Sequence, residues 1–132
     1  MKTSENNTIL NIKKRADSFK NAFHGFKTMV GSEPNLKIHL AILIIVTAAG
    51  LALKISVFSW MAIILVSGMV LVSECFNTAL EYLSDAVMPE YSPDIKKVKD
   101  IAAAGVLISA VLSVITGLLV FVPEIIKLLH FR

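Results

Sequence analysis

Three long stretches of this chain carry no formal charge: Ile38 to Leu53, Ile55 to Ser73, and Ile101 to Val122. A helix needs roughly 20 apolar residues, within a range of about 17 to 25, to cross the hydrocarbon core of a bilayer. The second and third stretches meet that requirement directly. The first is shorter and is interrupted by His39, but Lys37 and Lys54 at its ends can snorkel to the interface and extend it. A chain of 132 residues with three such stretches has little left from which to build a water-soluble core. The expected fold is therefore all-α and integral to a membrane, with spans at about 35–53, 55–86 and 96–122.

Composition agrees. The hydrophobic fraction is 55% and the charged fraction 17%, against roughly 25% charged in a typical soluble domain. The single cysteine, Cys75, excludes an internal disulfide and any cysteine-rich metal cluster. The net charge of +3 is carried by scattered residues with few aromatics to stack on bases, so nucleic acid is not an expected partner.

The placement of positive charge orients the spans. Seven Lys or Arg residues precede the first run, only Lys54 lies between the first and second, and Lys96, Lys97 and Lys99 lie between the second and third. The positive-inside rule puts the N-terminus and the second loop in the cytoplasm and the C-terminus outside, as in a bacterial inner membrane. Ahead of the spans, residues 12–30 repeat Phe19, Ala22, Phe23, Phe26 and Val30 at helical spacing with lysines elsewhere, the pattern of an amphipathic helix on an anionic leaflet. Residues 1–11 are polar, without the apolar core of a signal peptide, and are expected to form a disordered tail; residues 12–132 are expected to be a single domain. Gly31-Ser32 is expected to break the surface helix, with Ser32 capping the next one. Pro123-Glu124 is expected to end the third span and leave a short amphipathic tail at 125–131.

The stretch ECFNTALEYLSD, residues 74–85, is the chemical feature of the chain. At about 100° per residue, Glu74, Asn77, Thr78, Glu81 and Asp85 fall in one stripe along a helix that continues from the second apolar run. A carboxylate at membrane depth is costly and marks a functional site by default; Asp85, farther along, is the one most readily explained as a helix end emerging into water. Two carboxylates one heptad apart can divide labour, one holding a divalent cation and the other accepting a proton. Glu33 and the pair Lys99-Asp100 lie before the first and third spans, so each span carries an acidic group at the cytoplasmic side. No phosphate loop of the G-x-x-x-x-G-K-[ST] type and no G-x-G-x-x-G is present.

These residues resemble a known pattern. ECFNTALEYLSD is similar to the signature of the prokaryotic diacylglycerol kinase family, E-x-x-N-[ST]-[SA]-[LIV]-E-x-x-[VS]-D, and KVKDIAAAGVLI and SFKNAFHGFKTMVGSEPNLKIHL resemble its flanking segments. The resemblance covers about Lys14 to Pro123. It implies a homotrimeric membrane lipid kinase with three spans, a surface helix and sites shared between subunits. The enzyme would use ATP and Mg2+ to phosphorylate a membrane lipid alcohol, either diacylglycerol or undecaprenol. It implies Glu74 as catalytic base, Glu33 and Glu81 as ligands of the cation, and a nucleotide site drawing on Lys14 (or Arg15), Asn21, Glu33, Glu81, Glu90, Ser92, Lys99 and Asp100. Asn77, Thr78, Asp85 and Lys37 would support the site or meet the lipid. The EPNLKIHL stretch looks more like the branch of the family that includes undecaprenol kinases. The competing expectation is a non-catalytic membrane scaffold or transporter subunit, which leaves the carboxylate stripe idle.

Overall fold

A computed structural model describes the backbone of residues 2–130 and the side chains of residues 12–130. All four elements are α-helices: α1 (Lys2–Ser32), α2 (Pro34–Leu53), α3 (Val57–Val87) and α4 (Pro93–His130). The chain divides after Glu33 into two compact units, one holding α1 and the other α2, α3 and α4.

In the first unit, α1 starts at Lys2 instead of at residue 12, so the backbone of 2–11 is helical where a disordered tail was expected. No Gly or Pro interrupts the sequence before Gly25, and nothing in those residues stops helix propagation. Nor does Gly31 end it. The helix runs through Ser32, whose hydroxyl donates back to Thr28 O at 3.2 Å and so does not cap the next helix. Phe19 and Phe23 are exposed along α1, as are Lys13, Lys20 and Lys27.

The second unit contains three helices long and apolar enough to cross a membrane, α2, α3 and α4. Pro34 opens α2 at a position where the missing N–H costs nothing. Its other end closes in a Schellman turn, with Ile55 N–H bonded to Gly50 O at 3.2 Å and Lys54 N–H to Leu51 O at 3.3 Å. Lys54 takes the left-handed conformation this turn demands, with φ 51°. Ser56 then caps α3, its hydroxyl accepting from Ser59 N–H at 3.1 Å. Turn and cap together keep Ile55 and Ser56 out of α3, which therefore begins two residues after the expected 55. The connection is so short that α2 and α3 form an antiparallel hairpin, with the Trp60 ring lying over Gly50.

The helix of the third span, α4, is longer than expected at both ends. It starts at Pro93 and passes through Pro123 without ending there. Proline removes one helix hydrogen bond and crowds the preceding turn, but the residues on both sides are strong apolar helix formers, and spanning helices tolerate such a site. Lys127 pairs with Glu124 at 2.9 Å on the continued turn. Helices α3 and α4 pack along each other, joined by a hydroxyl contact between Ser73 Oγ and Ser109 Oγ at 2.8 Å. Ser109 also donates back to Gly105 O at 2.9 Å, so its own hydroxyl proton is used within α4.

Candidate active site

At about 1.5 Å per residue, the 31 residues of α3 extend for about 46 Å, well beyond a hydrocarbon core of roughly 30 Å. The apolar first half of the helix accounts for the core, and the acidic stripe falls on the half that continues past it. Within that stripe the structure separates buried from exposed groups. Glu74 is the most enclosed, at 1% exposure, and Asn77, Thr78 and Ser84 are buried with it. Glu81 is half-buried and Asp85 is exposed.

Each buried group has a defined setting. His39 of α2 brings Nε2 to 3.3 Å from Glu74 Oε1, a close polar contact across the α2–α3 hairpin. One turn on, Asn77 Nδ2 donates to Glu81 Oε1 at 3.2 Å. Asn77 Oδ1 and Thr78 Oγ1 are buried and have no hydrogen-bond partner among the described residues. A buried polar atom left in that state costs about 1–3 kcal/mol. A substrate, a water molecule or a second chain at these atoms would recover that cost.

An apolar groove of about 370 Å3 lies between α2, α3 and α4 and reaches from His39 along Val46, Ile63, Val70, Gly117 and Ile125. His39 therefore belongs both to the groove and to the carboxylate contact.

A model of the family described as prokaryotic diacylglycerol kinase matches residues 20–121. This chain belongs to that family. Membership makes it an enzyme, a lipid kinase, and accounts for the carboxylates in a helix otherwise built for lipid. An undecaprenol kinase of Bacillus subtilis is 35% identical over 108 residues, covering 82% of this chain and 88% of the relative. A diacylglycerol kinase of Synechocystis is 29% identical over 113 residues, covering 85% of this chain and 65% of the relative.

The kinase brings some of the expected site residues together and leaves others apart. Glu74, Asn77, Thr78 and Glu81 share one face of α3. Asp85 reaches the neighbouring helix, where Lys99 Nζ stands 2.5 Å from Asp85 Oδ1. Asp100 pairs with Lys96 on α4 and does not meet Lys99. Glu90 is exposed and Ser92 half-buried in the loop between α3 and α4, where Ser92 O accepts from Lys96 N–H at 2.9 Å. Lys37 is exposed in the second turn of α2. Lys14, Asn21 and Glu33 lie in the first unit; Lys14 and Asn21 are exposed on α1, and the Glu33 carboxylate lies 3.3 Å from Ser32 Oγ.

His39 was missing from the expected set. Its signal was present as the one ionisable residue of the first apolar run, but its partner was not. Ser73 and Ser109 were missed for the same reason, since each reads as an ordinary small residue in a span.

Magnesium takes few protein carboxylates and completes its shell with phosphate oxygens and water. Among the described residues no group of three or more His, Cys, Asp or Glu comes together. The donor set here, a half-buried Glu81 whose Oε1 is already oriented by Asn77, fits a cation carried largely by a nucleotide and does not fit an all-protein cage.

Proposed function

We propose that this chain transfers the γ-phosphoryl group of ATP to the hydroxyl of a membrane lipid alcohol, diacylglycerol or undecaprenol, at the cytoplasmic face of a bacterial inner membrane. The observation that carries this reading is Glu74. It is a buried carboxylate on a spanning helix, next to polar atoms unsatisfied within the chain, in a member of a lipid kinase family.

Glu74 is the base in this reading. Its carboxylate takes the proton of the lipid hydroxyl while the hydroxyl oxygen bonds to the γ-phosphorus. The bond from that phosphorus to the β,γ-bridging oxygen breaks, and its electron pair leaves with ADP. Such a transfer depends on positioning and charge stabilisation more than on covalent chemistry, which is why no soluble nucleotide fold is needed. Asn77 holds Glu81 in place, and Thr78 Oγ1 stands one turn from the base. Magnesium, when bound with the nucleotide, offsets the negative charge of the phosphates; Glu81 and Glu33 are the residues that would hold it. Lys14, Asn21, Glu90, Ser92, Lys99 and Asp100 are the candidates for nucleotide contact. The basic segments place the N-terminus and the α3–α4 loop inside and the C-terminus outside. α1 lies on the inner leaflet through its phenylalanines. The active form is a homotrimer, in which a neighbouring chain meets the polar atoms left unsatisfied in one chain.

The test is phosphoryl transfer from radiolabelled ATP by purified protein in lipid micelles, with diacylglycerol and undecaprenol as separate arms. Label is expected on at least one lipid, and only with magnesium present. Glu74→Gln keeps the shape and loses the basicity; it should lower turnover at least 100-fold with thermal stability unchanged. No transfer to either lipid overturns the reading, and a Glu74→Gln rate near wild type removes Glu74 as the base.

A further inference from the structure

We infer that His39 is a positioning residue for the base. The inference rests on Glu74 being that base. Three observations carry it. Nε2 of His39 is 3.3 Å from Glu74 Oε1, and the two come from different helices, so the contact is set by the α2–α3 hairpin and not by sequence proximity. The carboxylate is closed off from solvent while the imidazole keeps a fifth of its surface open, so the histidine stands on the access side of the pair. Finally, His39 is a wall of the apolar groove between the three spans and the only ionisable group in that wall.

Together these place the imidazole where the apolar groove meets the carboxylate. A buried carboxylate on a three-bond side chain can turn away from an incoming hydroxyl by simple rotation. A ring nitrogen 3.3 Å from Oε1 occupies one side of the carboxylate and limits that rotation. Glu81, one of the two carboxylates proposed to hold the cation, is oriented by a hydrogen bond from the Asn77 amide. Each acidic group of the stripe that faces the protein thus has a polar neighbour: His39 at 3.3 Å from Glu74, and Asn77 donating to Glu81.

The hairpin fixes which substitutions are informative. His39→Leu removes the ring nitrogen beside Glu74 and keeps an apolar groove wall. His39→Gln places an amide N–H close to where Nε2 stood. Both variants would be assayed in micelles at saturating ATP against a titration of whichever lipid the wild type accepts, alongside thermal unfolding. Expected for His39→Leu is a kcat at least 10-fold lower with the KM for lipid within 2-fold of wild type. His39→Gln should recover most of the loss. Both should unfold within a few degrees of wild type. A His39→Leu kcat within 2-fold of wild type overturns the inference, as does a change confined to the KM for lipid, which would make His39 a groove residue only. So does a loss that His39→Gln fails to restore. Glu74→Gln run in parallel separates the two levels. If that variant is inactive while His39→Leu is active, only the role of His39 fails. If Glu74→Gln is active, the assignment of the base fails first.

Discussion

Asp85 of α3 and Lys99 of α4 meet beside the loop that joins the two helices, with Lys99 Nζ 2.5 Å from Asp85 Oδ1. The pair sits about three helical turns from the Ser73–Ser109 contact. These two contacts pin the register of the α3–α4 hairpin at its loop end and in its interior. They also give Lys99 a partner on α3. Asp85 is two-thirds exposed, so the pair itself contributes between about 0 and 1 kcal/mol to stability.

That arrangement predicts different behaviour from the two partners. If Lys99 leaves Asp85 to contact ATP, Lys99→Met loses a charged hydrogen bond of about 1.5–3 kcal/mol, which raises the KM for ATP by about 10- to 100-fold. Asp85→Asn frees the lysine and leaves that KM unchanged or lower. Steady-state kinetics on the two variants decides the matter, and equal effects would assign Lys99 to the hairpin alone.

Gly50 predicts a packing effect. A Cβ built there would lie 2.8 Å from Trp60 Cη2 and 3.1 Å from Ile55 Cδ1. The indole is rigid and cannot yield at its far edge without moving as a whole. Gly50→Ala is expected to destabilise the α2–α3 hairpin by about 1–3 kcal/mol, as overpacking does elsewhere. Trp60→Leu in the same chain should recover part of that loss, which thermal unfolding in detergent can follow.

Lys54 predicts a gain. It holds φ at 51° in the Schellman turn, a conformation that glycine adopts without its steric cost. Lys54→Gly is expected to raise stability by about 1 kcal/mol, measured in the same unfolding assay, with kinase activity unchanged. A loss instead would mean that the lysine side chain contributes more than its backbone conformation costs.

Much of this molecule could be read from residue order. The spans follow from the absence of charge, and Glu74 stands out because a carboxylate directly after nineteen uncharged residues has no cheap explanation. Helix ends were harder to place. Gly31 and Pro123 both look like stops, yet Gly31 has no neighbour near its Cβ position and is helical, and the helix around Pro123 is carried by its flanks. The pairing of His39 with Glu74 could not be read at all. It depends on the register between α2 and α3, and Lys54, a non-glycine residue in a left-handed turn, sets that register without an advance signal. Local chemistry is written along a helix at regular steps, whereas contacts between helices depend on turn geometry that side-chain periodicity does not encode.

Assembly supplies the last prediction. Asn77 Oδ1 and Thr78 Oγ1 are buried without partners in a single chain, and no third acidic group joins Glu74 and Glu81 among the described residues. A site completed by a neighbour resolves both. Subunit mixing then has a defined outcome. Glu74→Gln chains keep Glu81, and Glu81→Ala chains keep Glu74, and each should be inactive alone. If one site takes its base from one chain and its cation ligand from another, a fraction of mixed assemblies contains an intact site, and activity should return on mixing. The recovered rate should follow the fraction of mixed assemblies, which two different affinity tags can measure. Mixtures that stay inactive despite verified exchange of chains would place Glu74 and Glu81 of the same chain in one site, as their shared face on α3 also permits.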